Sequence, residues 1–474
     1  MSRNPMPDVI VLLPGLTGSV LKKDGKVMWG FSGGMVAGSI FTRGGNLRRA
    51  LTLAEDPPDV DDLGDGVTAA ALIPDLHLLP GLWKIDGYSK VANTLLARFD
   101  LTEGRNFFRF PYDWRRDNRV AARRLQRQSQ EWLRAWRESS GNRDAKLILV
   151  AHSMGGLISR YFLEVLEGWR DTRALISFGT PYRGSLNSVD SLVNGLRKGP
   201  LGFLDLSELV RSFTAVYQLL PIYPCYDAGN RQLVRIGETS GIPNVDAQRA
   251  GDALAFHREI EAAVDAHLQE DDYMRNRYRV YPIVGIAQQT FQSARLTGRR
   301  VELLTSHEGQ DRGGDGTVPQ VSATPIEYSR ERNQMYAATQ HASLQNADAV
   351  LTQIDGLINS FYFDLGPFRR REITRTTVAL EVEDLYWTGE PVRVRARPER
   401  EDVQLTATLT NSDTGTVVAT QPLRPGAEGW QSTEFVPPVA GAYLVEVRGG
   451  PDVEPAADAL AVAEPTAEGE LEEL

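Results

Sequence analysis

The feature that most constrains the fold is the stretch from residue 147 to 166, where an apolar run leads through a tight turn into a helical pattern. Residues 147–150 are all apolar, residues 157–166 have helical spacing, and between them lies the sequence Ala151-His152-Ser153-Met154-Gly155-Gly156. A serine with small residues two positions away on both sides, between a strand and a helix, is typical of a nucleophile turn. Alanine stands here where the usual pattern has its first glycine. We therefore predict that Ser153 is a nucleophile at the edge of a sheet, where a helix N-terminus favours developing negative charge.

Other apolar runs predict the sheet that this turn requires. Val9–Leu13 and residues 174–178 are short runs of buried-strand composition, and each ends at a glycine and a proline. Residues 280–286 form a further candidate strand, although Pro282 weakens it. Residues 120–138 have the pattern of an amphipathic helix whose outer face is rich in arginine. Strand, turn and helix in alternation predict an α/β architecture with a mainly parallel sheet, here an α/β-hydrolase fold.

The sequence pattern changes at about residue 374. In residues 392–397 apolar residues alternate with arginines, and in residues 405–410 they alternate with threonines. Strands of period two separated by polar turns predict a small Ig-like β-sandwich. We predict an α/β-hydrolase domain at 1–373 with a cap or lid insertion at about 186–278, a β-sandwich at 374–463, and a disordered acidic tail at 464–474.

Chain order selects the groups that would activate the serine. A serine hydroxyl is a poor nucleophile unless a base removes its proton. In this fold the acid and the base follow the serine, the acid first and the histidine last. The best acid candidate is Asp315, in the glycine-rich stretch 313–319, and Asp311 is its rival. Of the six histidines only His341 lies beyond it. We therefore predict a Ser153–His341–Asp315 catalytic triad.

An acyl-transfer site also needs donors for the oxyanion of its tetrahedral intermediate. These are usually two backbone N–H groups, one of them on the residue after the nucleophile, which is Met154 here. The second donor should come from a loop after an early strand. The glycine-containing stretch 14–19 fits that position, and we predict the main chain of Leu16 as the donor.

Several segments together resemble the lecithin–cholesterol acyltransferase family, which includes lysosomal phospholipase and phospholipid–diacylglycerol acyltransferases. The matching segments follow the family's order over roughly residues 8–360, and they are Leu13-Pro14-Gly15-Leu16-Thr17-Gly18-Ser19, Pro111-Tyr112-Asp113-Trp114-Arg115, Ala151 to Gly156, Gly179-Thr180-Pro181-Tyr182-Arg183-Gly184-Ser185, Tyr217-Gln218-Leu219-Leu220-Pro221, Gly314 to Pro319, and His341. The second of these is the most specific and the serine turn is the least. The resemblance implies the same triad, the same two oxyanion donors, and cleavage of an acyl ester, commonly of a phospholipid. Some members pass the acyl group to an alcohol.

The remaining residues of these segments are expected to have structural or substrate-binding roles. Asp113 and Arg115 are expected to form a structural ion pair rather than to act in catalysis. Trp114 and Tyr182 are candidate substrate-binding residues, with a place in the core as the alternative for Trp114. The loop 179–185 is expected to shape the rim of the site. The segment after residue 374 is not part of the family pattern.

Composition excludes some classes of partner and favours a compartment. The formal net charge is −10, which argues against a nucleic-acid partner because phosphate binding needs a cationic surface. The single cysteine, Cys225, allows no intrachain disulfide, whereas secreted members of the family have disulfides and signal peptides. With no signal peptide and no apolar segment long enough to span a bilayer, we expect a cytoplasmic protein. No metal-ligand spacing and no phosphate loop is present, so we expect no metal and no cofactor.

The predicted cap bears on the substrate. Between residues 206 and 220 apolar side chains recur at helical spacing, which fits either a mobile lid that meets a membrane or an acyl chain, or a cap helix packed permanently on the core. Either arrangement favours a lipid or phospholipid substrate, and a mobile lid would also allow peripheral membrane contact. The leading hypothesis is a lipid-acyl hydrolase of phospholipase A or lipase type, with or without transacylase activity. The alternatives are a soluble carboxylesterase and an interaction protein whose β-sandwich recruits a protein partner.

Overall fold

The computed structural model describes residues 3–30, 48–74, 77–78, 84–198, 204–298, 300–330, 333–363, 376–400, 402–450 and 452–464. The chain divides into two compact units, Met1–Tyr362 and Phe363–Leu474. The predicted domain boundary between residues 373 and 374 lies outside the described residues. The predicted acidic tail does so too, apart from Glu464.

The N-terminal unit is built on six parallel strands. In chain order they are β1 (Val9–Leu13), β2 (Phe107–Arg109), β3 (Leu147–His152), β4 (Thr172–Phe178), β5 (Arg279–Gly285) and β6 (Met335–Ala337). Across the sheet the order is β6-β5-β4-β3-β1-β2. Every residue of β1 and β3 is buried, as expected for a parallel sheet that helices cover on both faces. The prediction of an α/β-hydrolase fold is confirmed, and Pro282 is tolerated within β5 opposite Ser177.

The described helices of this unit separate β1 to β4 one at a time, and five more lie between β4 and β5. They are α1 (Ser89–Arg98), α2 (Asn118–Ser140), α3 (Met154–Arg160), α4 (Leu186–Val193), α5 (Ser207–Ser212), α6 (Thr214–Tyr217), α7 (Ala247–His267), α8 (Asp271–Asn276) and α9 (Asp348–Ser360). The longest, α2, begins where the Asp117 carboxylate accepts the Arg119 N–H and ends at Gly141 in the left-handed region, so both ends have favourable caps. None of the described helices combines the length and the apolar character needed to cross a bilayer.

The helix after the serine turn differs from its expected extent. It begins directly at Met154 and changes at Tyr161–Val165 into a π-helix, an irregularity often found near functional sites. Within this π-helix the buried Glu164 accepts hydrogen bonds from Tyr273, at 2.9 Å, and from Tyr278, at 2.6 Å. These bonds tie the helix that follows Ser153 to the segment that leads into β5.

The cap is predicted in the segment between β4 and β5, where most of the described apolar residues are buried. The predicted run of helical spacing is divided between α5 and α6, because Phe213 has an extended backbone between them. Leu209, Phe213 and Val216 are each no more than 4% exposed. In this structure the run therefore packs on the core rather than presenting an apolar face to solvent. The cap also includes a hairpin after β5, Ser293–Thr297 with Arg300–Leu304, which pairs with Tyr226–Asp227.

Short elements complete the unit. The short strands are Ser19–Lys23, Lys26–Trp29 and Val67–Leu72 in one sheet, His77–Leu78 with Lys84–Ile85, Arg197–Lys198 with Leu204–Asp205, and Leu233–Val234 beside Tyr226–Asp227. The 3-10 turns are Gly168–Asp171, Ile236–Glu238, Gln320–Ser322, Ile326–Tyr328 and His341–Asn346.

The C-terminal unit is a β-sandwich. Its strands are β7 (Val378–Glu381), β8 (Leu385–Trp387), β9 (Val392–Pro398), β10 (Thr406–Asn411), β11 (Thr416–Pro422), β12 (Arg424–Pro425), β13 (Gln431–Phe435), β14 (Gly441–Arg448) and β15 (Ala456–Ala463). One sheet has the order β7-β9-β13-β12 and the other β8-β15-β14-β10-β11. Alternate residues of β9, β10 and β14 enclose a common core, so the predicted period of two is confirmed. A single 3-10 turn, Ala427–Gly429, is described in this unit.

Candidate active site

Ser153 lies on a strained turn at the carboxyl end of β3. Its backbone has φ 53° and ψ −123°, a region that costs free energy for a residue with a side chain and occurs mainly at functional sites. Two hydrogen bonds hold the turn: the Ser153 N–H donates to the Phe178 carbonyl at 2.8 Å, and the Thr180 hydroxyl donates to the Ser153 carbonyl at 3.0 Å. The turn is therefore fixed by the end of β4 and the loop that follows it.

The three residues selected by chain order lie in one line of hydrogen bonds. His341 Nε2 is 2.9 Å from Ser153 Oγ, and His341 Nδ1 is 2.7 Å from Asp315 Oδ2. The other oxygen of Asp315 accepts the N–H groups of Thr317 and Val318. Because a carboxylate only accepts, the His341 proton belongs on Nδ1, and Nε2 is left to accept the serine hydroxyl.

Asp311, the other candidate for the catalytic acid, has different hydrogen-bond partners. Asp311 Oδ1 accepts hydrogen bonds from Gln292 Nε2 at 2.6 Å and from the Gly313 N–H at 2.8 Å. These bonds hold the glycine-rich loop that carries Asp315. Asp311 thus supports the loop, and the geometry assigns the position beside the imidazole to Asp315.

The two predicted oxyanion donors have free N–H groups. Within the described part of the chain, neither the Leu16 N–H nor the Met154 N–H donates a hydrogen bond. Gly15 brings the two segments together, because a Cβ at this position would lie 2.8 Å from Ser153 Cβ. Thr17, the residue after Leu16, has φ 63°, and its carbonyl accepts the Trp29 indole N–H at 2.8 Å. The loop after β1 is therefore strained, anchored and close to the serine.

The loop after β4 supports the triad from behind rather than forming only a rim. Gly179 has φ 53°, and a Cβ there would lie 2.7 Å from Asp315 Oδ2 and 2.8 Å from His341 Nδ1. Only glycine combines this backbone conformation with the absence of a side chain. Residue 179 therefore lies directly against Asp315 and His341, and Thr180 bonds the main chain of the turn that carries Ser153.

Sequence reasoning missed two buried residues next to the triad. The Gly15 N–H donates to the Tyr88 hydroxyl at 2.8 Å, and that hydroxyl lies 2.9 Å from His152 Nδ1. The other nitrogen, His152 Nε2, is 3.1 Å from the His341 carbonyl oxygen, so Nε2 carries the proton and Nδ1 accepts from Tyr88. Burial, together with the neighbouring His341, lowers the pKa of His152 to about 3, which keeps the ring neutral. No local pattern around Tyr88 signals this role, because its partners are distant in sequence.

Ser153 opens into a cavity of about 480 Å³. One part of its lining is apolar and includes Leu16, Pro181, Val216, Leu219, Val318 and Ala342. The other part is polar and uncharged and includes Ser185, Asn187, Ser188, Ser191, Gln288, Gln289, Thr317 and Gln340. The cavity thus offers both an apolar and a hydrogen-bonding surface beside the serine.

The two predicted substrate-binding residues lie elsewhere, and we correct that prediction. Trp114 is buried in the core, where its indole N–H donates to the Ser19 carbonyl at 3.0 Å and its ring packs edge-on against Trp29. Tyr182 is also buried, and its hydroxyl donates to Ser177 Oγ at 2.7 Å. Neither side chain lines the cavity at Ser153.

The other motif residues hold the fold together. The Arg115 side chain is fully buried, with Nη2 2.6 Å from Asp113 and 2.9 Å from Asp65, as expected for a structural ion pair. Within the ranges that the structure describes, no group of three histidine, cysteine or acidic side chains is arranged to hold a metal ion.

The sheet order, the strained serine turn and the acid and histidine on the loops after β5 and β6 define an α/β hydrolase. A model of the lecithin:cholesterol acyltransferase family matches residues 54–348, more than half of the chain. The chain belongs to this family, and the resemblance seen in its motifs is confirmed.

Individual relatives match over shorter stretches. The lysosomal phospholipase A and acyltransferase of Homo sapiens is 29% identical over 184 residues, and that of Rattus norvegicus is 31% identical over the same length. Each alignment covers 37% of this chain and 42% of the relative, so the chain spans less than half of the relatives' length. Among solved structures, the mature lipase BlEst2 of Bacillus licheniformis is 13% identical, with a TM-score of 0.36 over 76% of this chain and 95% of that one.

Proposed function

We propose that this chain is a serine lipid-acyl hydrolase of phospholipase A or lipase type, with Ser153 as nucleophile, His341 as base and Asp315 as the acid that orients the base. The observation that carries the proposal is the unbroken line of hydrogen bonds from Asp315 through His341 to Ser153. A structural serine needs neither a neighbouring imidazole nor a strained backbone.

The first half of the reaction forms an acyl-enzyme. His341 Nε2 takes the hydroxyl proton of Ser153 as Oγ bonds to the ester carbon. The negative charge that develops on the carbonyl oxygen is stabilised by the N–H groups of Leu16 and Met154, which are free to donate. His341 then gives its proton to the leaving alkoxide oxygen, the C–O bond breaks, and the alcohol departs.

The second half returns the enzyme to its starting state. Water, or an alcohol acting as acyl acceptor, loses a proton to His341 as its oxygen attacks the acyl carbon. The Ser153 Oγ–carbon bond breaks and His341 returns the proton to Oγ. Throughout, the Nδ1–H of His341 stays directed at Asp315, so the imidazolium that forms in each half is held next to a carboxylate.

Family membership and the cavity support a lipid ester as substrate. Leu16, Val216 and Leu219 line the cavity beside Ser153, and apolar side chains stabilise an acyl chain by removing it from water. A small polar ester gains little from such a surface. We therefore expect long-chain esters to react faster than short-chain ones.

The test compares wild type with Ser153→Ala on long-chain acyl esters in mixed micelles, with released fatty acid measured by mass spectrometry. Loss of the nucleophile should lower turnover by about 10⁴-fold or more. Ser139→Ala, at an exposed serine near the end of α2, is the matched control and should keep wild-type turnover.

Two results would contradict the proposal in different ways. Equal fatty-acid release by wild type and Ser153→Ala would remove Ser153 from the chemistry. Much faster hydrolysis of p-nitrophenyl butyrate than of any long-chain ester would keep the triad but make the chain a carboxylesterase.

A further inference from the structure

Four side-chain amides line the cavity at Ser153: Asn187, Gln288, Gln289 and Gln340, which we call the amide wall. Within the described residues, none of these amide groups makes a hydrogen bond to another part of the chain. Gln289 and Gln340 are exposed, and the other two are half-buried. The wall therefore has both donors and acceptors available to a ligand.

The amide wall is held by structured loops. Asn187 lies in the first turn of α4, where its own N–H donates to the capping hydroxyl of Ser185. The Gln288 N–H donates to the Gly314 carbonyl at 3.0 Å, which ties this residue to the loop of Asp315. The preceding residue, Ala287, has φ 62°, a strained conformation that the surrounding structure must hold. The backbones of Asn187 and Gln288 are thus fixed beside the triad.

The described lining also lacks two kinds of side chain that bind charged lipid head groups. Among the described residues that line this cavity, none is a lysine or an arginine, and none is a tryptophan, tyrosine or phenylalanine. A phosphate group is bound best by arginine or lysine, and a quaternary ammonium is bound best by aromatic rings. Asp315 adds a carboxylate to the same cavity. The described lining therefore suits neither an anionic nor a choline head group.

We propose that the amide wall binds an uncharged, hydroxyl-bearing head group, so that the preferred substrates are acyl esters of glycerol or of glycosylated glycerol. A hydroxyl both donates and accepts, as an amide does, so each amide can pair with one without leaving a charge uncompensated. This inference rests on the proposed function, because it assigns the substrate class of the same site.

The test uses one acyl ester with three head groups. Purified full-length protein is given 1-oleoylglycerol, 1-oleoyl-lysophosphatidylglycerol or 1-oleoyl-lysophosphatidylcholine in matched non-ionic micelles, and oleate release is followed for kcat and KM. The expected kcat/KM for 1-oleoylglycerol exceeds that for either charged ester by about tenfold or more, because a phosphate would lose water in a cavity whose described lining offers no lysine or arginine to pair with it.

Variants locate the preference in the amide wall. Gln289→Leu with Gln340→Leu should lower the ratio of kcat/KM for 1-oleoylglycerol to that for p-nitrophenyl butyrate by about tenfold, mainly through KM. Gln289→Arg should raise kcat/KM for the lysophosphatidylglycerol instead. Gln353→Leu, at an exposed position of α9, is the matched control and should leave the ratio as in wild type.

The outcomes separate this inference from the function on which it rests. If no ester is cleaved, the proposed function fails. If lysophosphatidylglycerol or lysophosphatidylcholine is cleaved as fast as 1-oleoylglycerol, or if the double variant keeps the wild-type ratio, the proposed function stands and the head-group assignment is wrong.

Discussion

Two groups of polar side chains surround Ser153, and they differ in whether their hydrogen bonds are already made. The first group, the paired wall, comprises Tyr88, His152, Asp315 and His341, each of which is bonded to another member or to the backbone beside it. The second group is the amide wall, whose side chains make no such bonds among the described residues.

This difference separates positioning from recognition. Buried polar groups that are fully paired hold a fixed geometry, and a fixed geometry is what transition-state stabilisation needs. Amides that reach solvent stay hydrated at little cost and can exchange water for a ligand. On this account, changes in the paired wall should reduce kcat, whereas changes in the amide wall should act through KM and selectivity.

The largest expected effect in the paired wall comes from the base. His341→Ala should lower kcat for acyl release by about 10⁴-fold or more, because Ser153 then has no group to take its proton. Stopped assays of oleate release measure this loss. His307→Ala is the control, since that half-buried imidazole binds the Pro224 carbonyl away from the triad; a comparable loss there would mean that the effect is on folding.

The next effect comes from the glycine behind the triad. Gly179→Ala would place a Cβ 2.7 Å from Asp315 Oδ2 and 2.8 Å from His341 Nδ1, and a displaced catalytic group can cost about a hundredfold in kcat. Gly104→Ala is matched in having a positive φ, of +79°, but nothing within 4 Å of its Cβ. A larger stability loss in Gly179→Ala than in Gly104→Ala is expected, together with a kcat loss in Gly179→Ala only. Equal kcat in the two variants would show that residue 179 does not position the triad.

A smaller effect is expected from the outer part of the paired wall. Tyr88→Phe removes the acceptor for the Gly15 N–H and the donor to His152 Nδ1. Leaving these two buried groups unpaired should cost about 1–3 kcal/mol in the free energy of unfolding. We also expect a fall of about tenfold in kcat, with KM little changed, because the loop of Leu16 loses an anchor.

A matched tyrosine distinguishes this effect from a general one. Tyr336 is half-exposed on β6, so Tyr336→Phe should keep both stability and kcat. If Tyr88→Phe changed stability alone, the network would be structural and would not position the oxyanion loop.

The smallest effect concerns pH. Because the folded chain holds the pKa of His152 at about 3, the unfolded chain binds one more proton there between pH 3 and about 6.5. This group therefore makes folding less stable as pH falls through that window, with a slope of about 1.4 kcal/mol per pH unit at its steepest. His152→Gln should remove that part of the slope, as measured by urea unfolding at pH 5 and pH 6. An unchanged slope would mean that the buried ring is not neutral.

The sequence predicted much of the fold because the main strands depend on local pattern. The apolar runs at β1 and β3 need only burial on both faces of a parallel sheet, and their residues appear in the structure within two positions of the expected ends. The cap run between residues 206 and 220 was less predictable, since the break at Phe213 depends on packing against other elements.

The residues of the site likewise include some that the sequence predicted and some that it did not. Chain order selects Asp315 and His341, and the structure brings both next to Ser153. Trp114 could not be assigned from its motif, because whether an indole faces a cavity or the core depends on distant neighbours such as Trp29. Tyr88 was missed for the same reason, since it lies 73 residues from Gly15 and 64 from His152.

The most direct test of the central claim is covalent labelling with a fluorophosphonate, which reacts with an activated serine hydroxyl, followed by peptide mass mapping. We predict one phosphonate adduct, on Ser153, in wild type, and its loss in His341→Ala although the serine is still present. An adduct on another serine, or labelling of Ser153 at the same rate without His341, would contradict the account.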